Sequence, residues 1–210
     1  MILGGTTLRT LMSDETPVKK RLFIQPILDL DEQVNPNQAA IDLRLGFHFA
    51  ICRPSTTGAI DECRDEDVSE MLKSVDMMFG HEYVPFGKSI VLHQNKFVLA
   101  CTLEYVRIPE TLVGYVIGRS SWGRLGLVVA TAIGIHPGYS GCITLELRNL
   151  GETPLVLYPG QTVAQVFFHE AIGAEGGSGL GQYVGDGNLL PKRLSPERTR
   201  AKLRKMAGIV

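Results

Sequence analysis

Two arginines, two serines and three glycines fall within nine residues, Gly118-Arg119-Ser120-Ser121-Trp122-Gly123-Arg124-Leu125-Gly126. Guanidinium groups give charge-assisted, often bidentate hydrogen bonds to phosphate or carboxylate oxygens. Serine hydroxyls and exposed backbone N–H groups add donors where glycine lets an anion come close. The glycine spacing mimics G-x-x-x-x-G, but Arg124-Leu125 stands where a P-loop needs Lys-Ser/Thr, which argues against a Walker-type ATP site. Composition leaves two readings open: a phosphate-binding loop, or a glycine-rich turn with solvated arginines.

A carboxylate follows on a strand. In the run 142–149, Ile143, Leu145 and Leu147 alternate with Thr144, Glu146 and Arg148, the period of a β-strand with one buried face. The aliphatic face anchors the strand to a core, and Glu146 projects from the other. On pattern alone Glu146 reads as a strand carboxylate paired with an arginine. Trp122 reads as an apolar anchor for the loop or as a wall of a site, the anchor being favoured because aromatics bury large area.

These residues need a scaffold, and its pattern is β. Short β-prone runs cut by Gly, Pro and Asn cover 89–93, 97–108, 113–117, 127–135, 142–147, 155–157 and 162–169, which suggests a sandwich or barrel. Leu43, Leu45, Phe47 and Phe49 alternate with polar residues or glycine in another strand. Helices are expected at 6–12, with Thr6 or Thr7 as N-cap, and at 195–206; 21–30 reads as extended. The acidic run from Asp61 to Lys73 reads as a solvated helical insertion, taken as 61–75. Residues 1–210 form one domain, ending in a glycine-rich loop from Gly173 and a basic terminal segment.

Composition narrows the function. A net charge of −1 over 210 residues gives no reason to expect nucleic acid or an anionic membrane as partner. No apolar run approaches a spanning helix and the N-terminus lacks a signal-peptide core, so the expected location is cytoplasmic. Cys52, Cys63, Cys101 and Cys142 form no C-x-x-C pair and read as structural thiols rather than a disulfide framework or a zinc site. Zinc deaminases carry H-x-E…P-C-x-x-C, so a base deaminase built from this chain must activate water without zinc.

The two blocks together resemble the dCTP deaminase branch of the dUTPase-like superfamily. That family's G-R-S-S-x-x-R-L-G-L stands here as Gly118 to Leu127, and its D-P-G-[FYW]-x-G-x-I-x-L-E-x-x-N as His136 to Asn149. The likeness extends to Ala40–Gly46, Phe97–Glu104 and Tyr158-Pro159-Gly160-Gln161. It implies an all-β, distorted jelly-roll-like (β-clip) core with short peripheral helices, assembled as a homotrimer with active sites between subunits. It also implies hydrolytic deamination of dCTP to dUTP and ammonia. Glu146 is then the catalytic carboxylate, accepting the proton of the water that adds at cytosine C4 and returning it towards ammonia. Ser120 and Arg124 hold that water and stabilise developing charge, with Arg124 keeping Glu146 ionised. Arg119 and Ser121 bind the triphosphate, with Trp122 and Gly123 in the same loop, and backbone around Ala132, Thr144 and Leu145 meets base or sugar. Mg²⁺ rides on the phosphate oxygens without a protein cage. Asp42 reads as a structural hydrogen-bonding residue.

The chain also departs from the family. His136 replaces the aspartate before Pro-Gly, a poor substitute for a permanent carboxylate, which argues against dUTP diphosphohydrolase chemistry and puts the sugar contact in doubt. The segment 127–132 is one residue shorter than its counterpart. In the C-terminal lid, expected within 173–210, relatives carry K-Y-x-x-Q; here Gln182-Tyr183-Val184-Gly185-Asp186 replaces an ammonium and adds a carboxylate, with Lys192 and Arg193 nearby. The competing readings are a deaminase of another deoxycytidine nucleotide, a dUTPase-like diphosphohydrolase, and a catalytically silent nucleotide-binding trimer.

Overall fold

Period-two hydrophobicity becomes strand pairing along most of the chain in the computed structural model, which describes residues 1–54, 59–61, 63, 68–130, 132, 134–173, 189–190 and 197–208. The elements are α1 (Gly5–Met12), β1 (Phe23–Gln25), α2 (Leu30–Gln33), β2 (Ala40–Cys52), α3 (Val68–Met77), β3 (Phe79–Tyr83), β4 (Ile90–Leu92) and β5 (Phe97–Arg107). They continue as β6 (Leu112–Gly118), α4 (Ser120–Gly123), β7 (Leu127–Val129), β8 (Gly134–Ile135), β9 (Ser140–Asn149), β10 (Leu155–Leu157), β11 (Thr162–Glu170) and α5 (Glu197–Met206).

One antiparallel sheet runs in the order β7-β9-β5-β2-β11-β6-β8, with β1 added to β5 and β3 to β2; β4 and β10 form a separate pair. The sheet curls into a half-barrel, and β6 meets β7 across the curl. The main core fills its inner face with Ile41, Leu43 and Leu45 of β2, Val98 and Ala100 of β5, Ile143, Leu145 and Leu147 of β9, and Val166 and Phe168 of β11. With its helices the chain is mixed α/β in content, so the all-β expectation describes the sheet and not the whole.

The outer face of β9-β5-β2 carries Thr144 and Glu146, then Leu99 and Cys101, then Ala50. A second, smaller apolar cluster covers part of it: Ala50, Leu99 and Leu190 are buried together, with Phe79, Phe97 and Leu189 against them. The register between β2 and β5 shifts between Leu45 and Phe49, and both residues face the main core.

Polar groups are also buried. Glu104, fully enclosed, accepts from Arg44 Nε at 2.6 Å, from the Arg44 backbone N–H at 2.9 Å and from Gln33 Nε2 at 3.0 Å. Thr102 Oγ1 donates to the Glu104 carbonyl at 2.7 Å and accepts the Ile143 N–H at 2.9 Å, bridging the register shift between β5 and β9. The two segments Ala40–Gly46 and Phe97–Glu104 therefore meet through an ion pair that alternation alone does not reveal.

Several expectations are corrected. The N-cap of α1 is Gly4, with no side-chain cap, not Thr6 or Thr7. The run 127–135 is two strands, because β7 pairs with β9 while β8 pairs with β6 at the other end of the sheet. The helix within the acidic run starts at Val68, extends to Met77 and buries Met71 and Val75. Strand β3 and the short helices α2 and α4 add to the expected elements. Among the described residues Cys52, Cys63, Cys101 and Cys142 are free thiols, and burial pushes those of Cys101 and Cys142 up.

Candidate active site

Strand β6 delivers Arg119, whose N–H donates to the Val163 carbonyl at 3.0 Å, and the chain then winds through the single turn α4. The Arg124 N–H closes it on the Ser120 carbonyl at 3.1 Å. Gly126 leaves the turn with φ +92°, and a Cβ there would run into the Gly151 backbone nitrogen. Only glycine fits both the left-handed conformation and that approach. The Gly126 carbonyl accepts the Leu150 N–H at 2.8 Å, so the loop is pinned to the end of β9. Asn149 holds the same junction from inside, donating to the Leu92 and Thr153 carbonyls and accepting the Gly151 N–H. The asparagine that ends the second block is thus structural, a role that its spacing in the motif does not announce.

Trp122 is the anchor. Its ring packs against the main core and its indole N–H donates to the Thr162 carbonyl at 2.9 Å. Ser120, Ser121, Gly123 and Arg124 consequently stand on the outside of the turn, and a Cβ at Gly123 would meet open space.

Arg119 reaches back to β2, where Nη1 lies 2.5 Å from Asp42 Oδ1. Burial pushes the Asp42 carboxyl above its usual range, and the charge and hydrogen bond of Arg119 pull against that rise. Asp42 therefore has the hydrogen-bonding role expected of it, with Arg119 as its partner. The Arg119 side chain is still 35% exposed, and its guanidinium has five N–H donors of which Asp42 takes one from Nη1.

Glu146 lies half-buried on the outer face of β9, opposite Leu99 of β5. Burial raises its carboxyl above the ordinary glutamate range. The Ala130 N–H donates to the Glu146 carbonyl at 2.7 Å, extending the β7–β9 contact to the residue itself. The two blocks are thus joined through β7: α4 packs on β7, and β7 pairs with β9 from Leu127–Asn149 to Val129–Leu147.

Other positions are placed less suggestively. Thr144 shares the outer face, whereas the Leu145 side chain is wholly inside the core, so only its backbone could meet a ligand. Ala132 is exposed. His136 is exposed in the turn between β8 and β9, its carbonyl accepting the Tyr139 N–H at 3.2 Å. Gln182, Asp186, Lys192 and Arg193 lie outside the described residues. Among the described residues, none buries Ser120, Ser121 or Arg124.

A curled antiparallel sheet, with an Arg-Ser-Ser turn pinned to the strand that carries Glu146, is the architecture the motifs imply. Residues 2–171 match the dCTP deaminase-like family, and the chain belongs to it. It is 36% identical over 199 residues to a dUMP-forming dCTP deaminase of Methanobrevibacter smithii, covering 92% of this chain and 96% of the relative. A dCTP deaminase of Natronomonas pharaonis is 38% identical over 206 residues, covering 94% and 97%. Among solved structures, 2'-deoxycytidine 5'-triphosphate deaminase from Agrobacterium tumefaciens matches with a TM-score of 0.58 and 22% identity over 81% of this chain. The match spans 48% of that longer protein and identifies the fold, a curled sheet resembling the dUTPase-like jelly roll.

Proposed function

We propose that the protein hydrolyses the 4-amino group of dCTP, giving dUTP and ammonia, with Glu146 as the group that moves the protons. The observation that carries the reading is the setting of Glu146: a half-buried carboxyl, pushed upward by desolvation, on the strand whose end holds the turn that bears Ser120 and Arg124. A carboxyl so tuned takes a proton from water more readily and can return it. Water adds at C4 as Glu146 accepts its proton and passes it to ring N3. The new C4 hydroxyl then gives its proton through Glu146 to the amino group, so the C4–N bond breaks, ammonia leaves and a C4 carbonyl remains. Ser120 and Arg124 orient the water and balance charge, Arg119 and Ser121 hold phosphate oxygens, and the backbone at Ala132, Thr144 and Leu145 meets the base or sugar.

Among the described residues no three His, Cys, Asp or Glu side chains gather as a metal cage. Mg²⁺ carried by the triphosphate asks for none, and Arg119 and Ser121 are the residues that would face its phosphates. The exposure of Ser120, Ser121 and Arg124 supports a homotrimer in which a neighbouring subunit completes the site. Gln182 and Asp186 belong to the proposed C-terminal lid.

A second reading ends at dUMP and pyrophosphate; the name of the Methanobrevibacter relative gives dUMP as what that protein forms. His136, which offers no permanent carboxylate before Pro137-Gly138, favours dUTP as the product here. Incubation with cytidine and deoxycytidine mono-, di- and triphosphates plus Mg²⁺ tests both. Ammonia with dUTP from dCTP is the expected result; dUMP with pyrophosphate would select the second reading. Wild-type turnover in Glu146→Gln would remove Glu146 from the mechanism, since loss of a general base costs about 10²–10⁴ in rate.

A further inference from the structure

Four positions form one row across the outer face of the sheet. His81 of β3 is the register partner of Ala50 of β2, Ala50 that of Leu99 of β5, and Leu99 that of Glu146 of β9. Directly opposed residues in antiparallel strands point to the same face, with Cβ atoms about 4.5–5.5 Å apart. Leu99 is an outer-face residue yet only 6% exposed, so something other than the main core covers it. The cover is the tail: Leu190, itself 5% exposed, is buried with Leu99 and Ala50, and Leu189 packs against the same cluster with Phe79 and Phe97. The chain leaves the sheet at Glu170 of β11 and comes back at Leu189 to the face that bears Glu146.

We infer that Leu189-Leu190 is an apolar clip that seals the outer face beside Glu146, making Leu190 a positioning residue for the deamination. The inference rests on the proposed role of Glu146. An apolar lid over Leu99 withholds water from one flank of the adjacent carboxyl, the condition under which a carboxyl becomes harder to ionise and a single bound water can be held against it. The rise of the Glu146 carboxyl by burial agrees with this. Neighbouring groups of the outer face are Arg148 of β9, exposed, the Cys142 and Cys101 thiols, and His81 at the far end of the row, 3.1 Å from Asp76. Strand β7 contributes only apolar residues. The clip also ties the chain after the glycine-rich segment to the site, independently of any contact with phosphate.

The test uses the full-length protein with Leu190→Ala, Leu190→Asn and the conservative Leu190→Met. The Glu146 midpoint is read by carboxyl-carbon NMR titration without substrate, and kcat and KM for dCTP are measured against pH. Opening the flank returns the carboxyl towards its ordinary value, so the midpoint and the acid limb of kcat should both move to lower pH. Turnover at neutral pH should fall several-fold with KM little changed, and Leu190→Met should restore both. An unchanged Glu146 midpoint in folded Leu190→Ala and Leu190→Asn overturns the clip. A moved midpoint with no change in kcat, while Glu146→Gln is inactive, overturns the positioning role. If Glu146→Gln is itself fully active, the function reading fails, while the NMR titration still decides whether Leu190 shields the carboxyl.

Discussion

Glu104 offers the sharpest test of how the scaffold holds the site. Its carboxylate is fully enclosed and receives three donors, two from Arg44 and one from Gln33. Glu104→Leu removes every one of these acceptors. Among the described residues, the Arg44 side chain then keeps the Pro26 carbonyl at 2.7 Å as its acceptor, its backbone N–H loses its carboxylate acceptor, and Gln33 Nε2 keeps the Asp42 carbonyl at 2.9 Å. Breaking a buried pair from one side costs about 3–5 kcal/mol, because a charge is left in a medium that cannot solvate it. For a domain of this size each kcal/mol lowers Tm by about 2–4 °C, so the variant should melt roughly 6–20 °C below wild type. Removing both charges in Arg44→Leu/Glu104→Leu should recover most of the loss, since apolar replacements of a whole buried pair are often close to neutral. Circular-dichroism melts of the two singles and the double complete the cycle. A loss below about 1 kcal/mol in Glu104→Leu, or a double variant whose loss is the sum of the singles, would refute the buried-pair argument.

Three further outcomes follow from the site. Arg119→Ala should weaken dCTP binding and also lower stability, because it strands the half-buried Asp42, whereas exposed Arg124→Ala should lower kcat while stability stays within about 0.5 kcal/mol; kinetics beside thermal melts separate the two, and equal stability losses would undo the distinction. Glu146→Gln should stabilise the fold at neutral pH: a carboxyl with a raised folded-state pKa contributes most below its unfolded pKa and loses that contribution as pH rises through the folded value. Urea titrations of variant and wild type should therefore diverge on going from acid to neutral pH, and parallel curves would contradict the desolvation. Gly126→Ala should destabilise by more than about 2 kcal/mol, combining left-handed strain with a Cβ driven against the Gly151 backbone; near-wild-type stability would show that the loop can leave β9.

Local periodicity carries most of what is legible along the chain. The alternation in 142–149 puts Glu146 on the face opposite three buried aliphatics, and β9 has that arrangement, since a strand's side chains alternate whatever its neighbours are. Trp122 is legible as an anchor for a similar reason: a large apolar ring in an otherwise polar loop has few other places to go. Partners are another matter. Arg119 with Asp42 is separated by 77 residues and Arg44 with Glu104 by 60, and no spacing rule links such positions. The apolar run 127–135 reads as one strand because hydrophobicity reports burial without saying against which strand; the sheet gives its two halves different partners. Leu190 shows the limit most plainly. Its sequence neighbourhood, Asn188-Leu189-Leu190-Pro191, carries no periodicity, and its meaning comes from the row Ala50, Leu99 and Glu146 that three distant strands bring into register beneath it. Backbone geometry repeats every two residues and can be read along the chain, whereas the neighbour that desolvates a carboxyl is chosen only when the sheet curls and the tail comes down on its outer face.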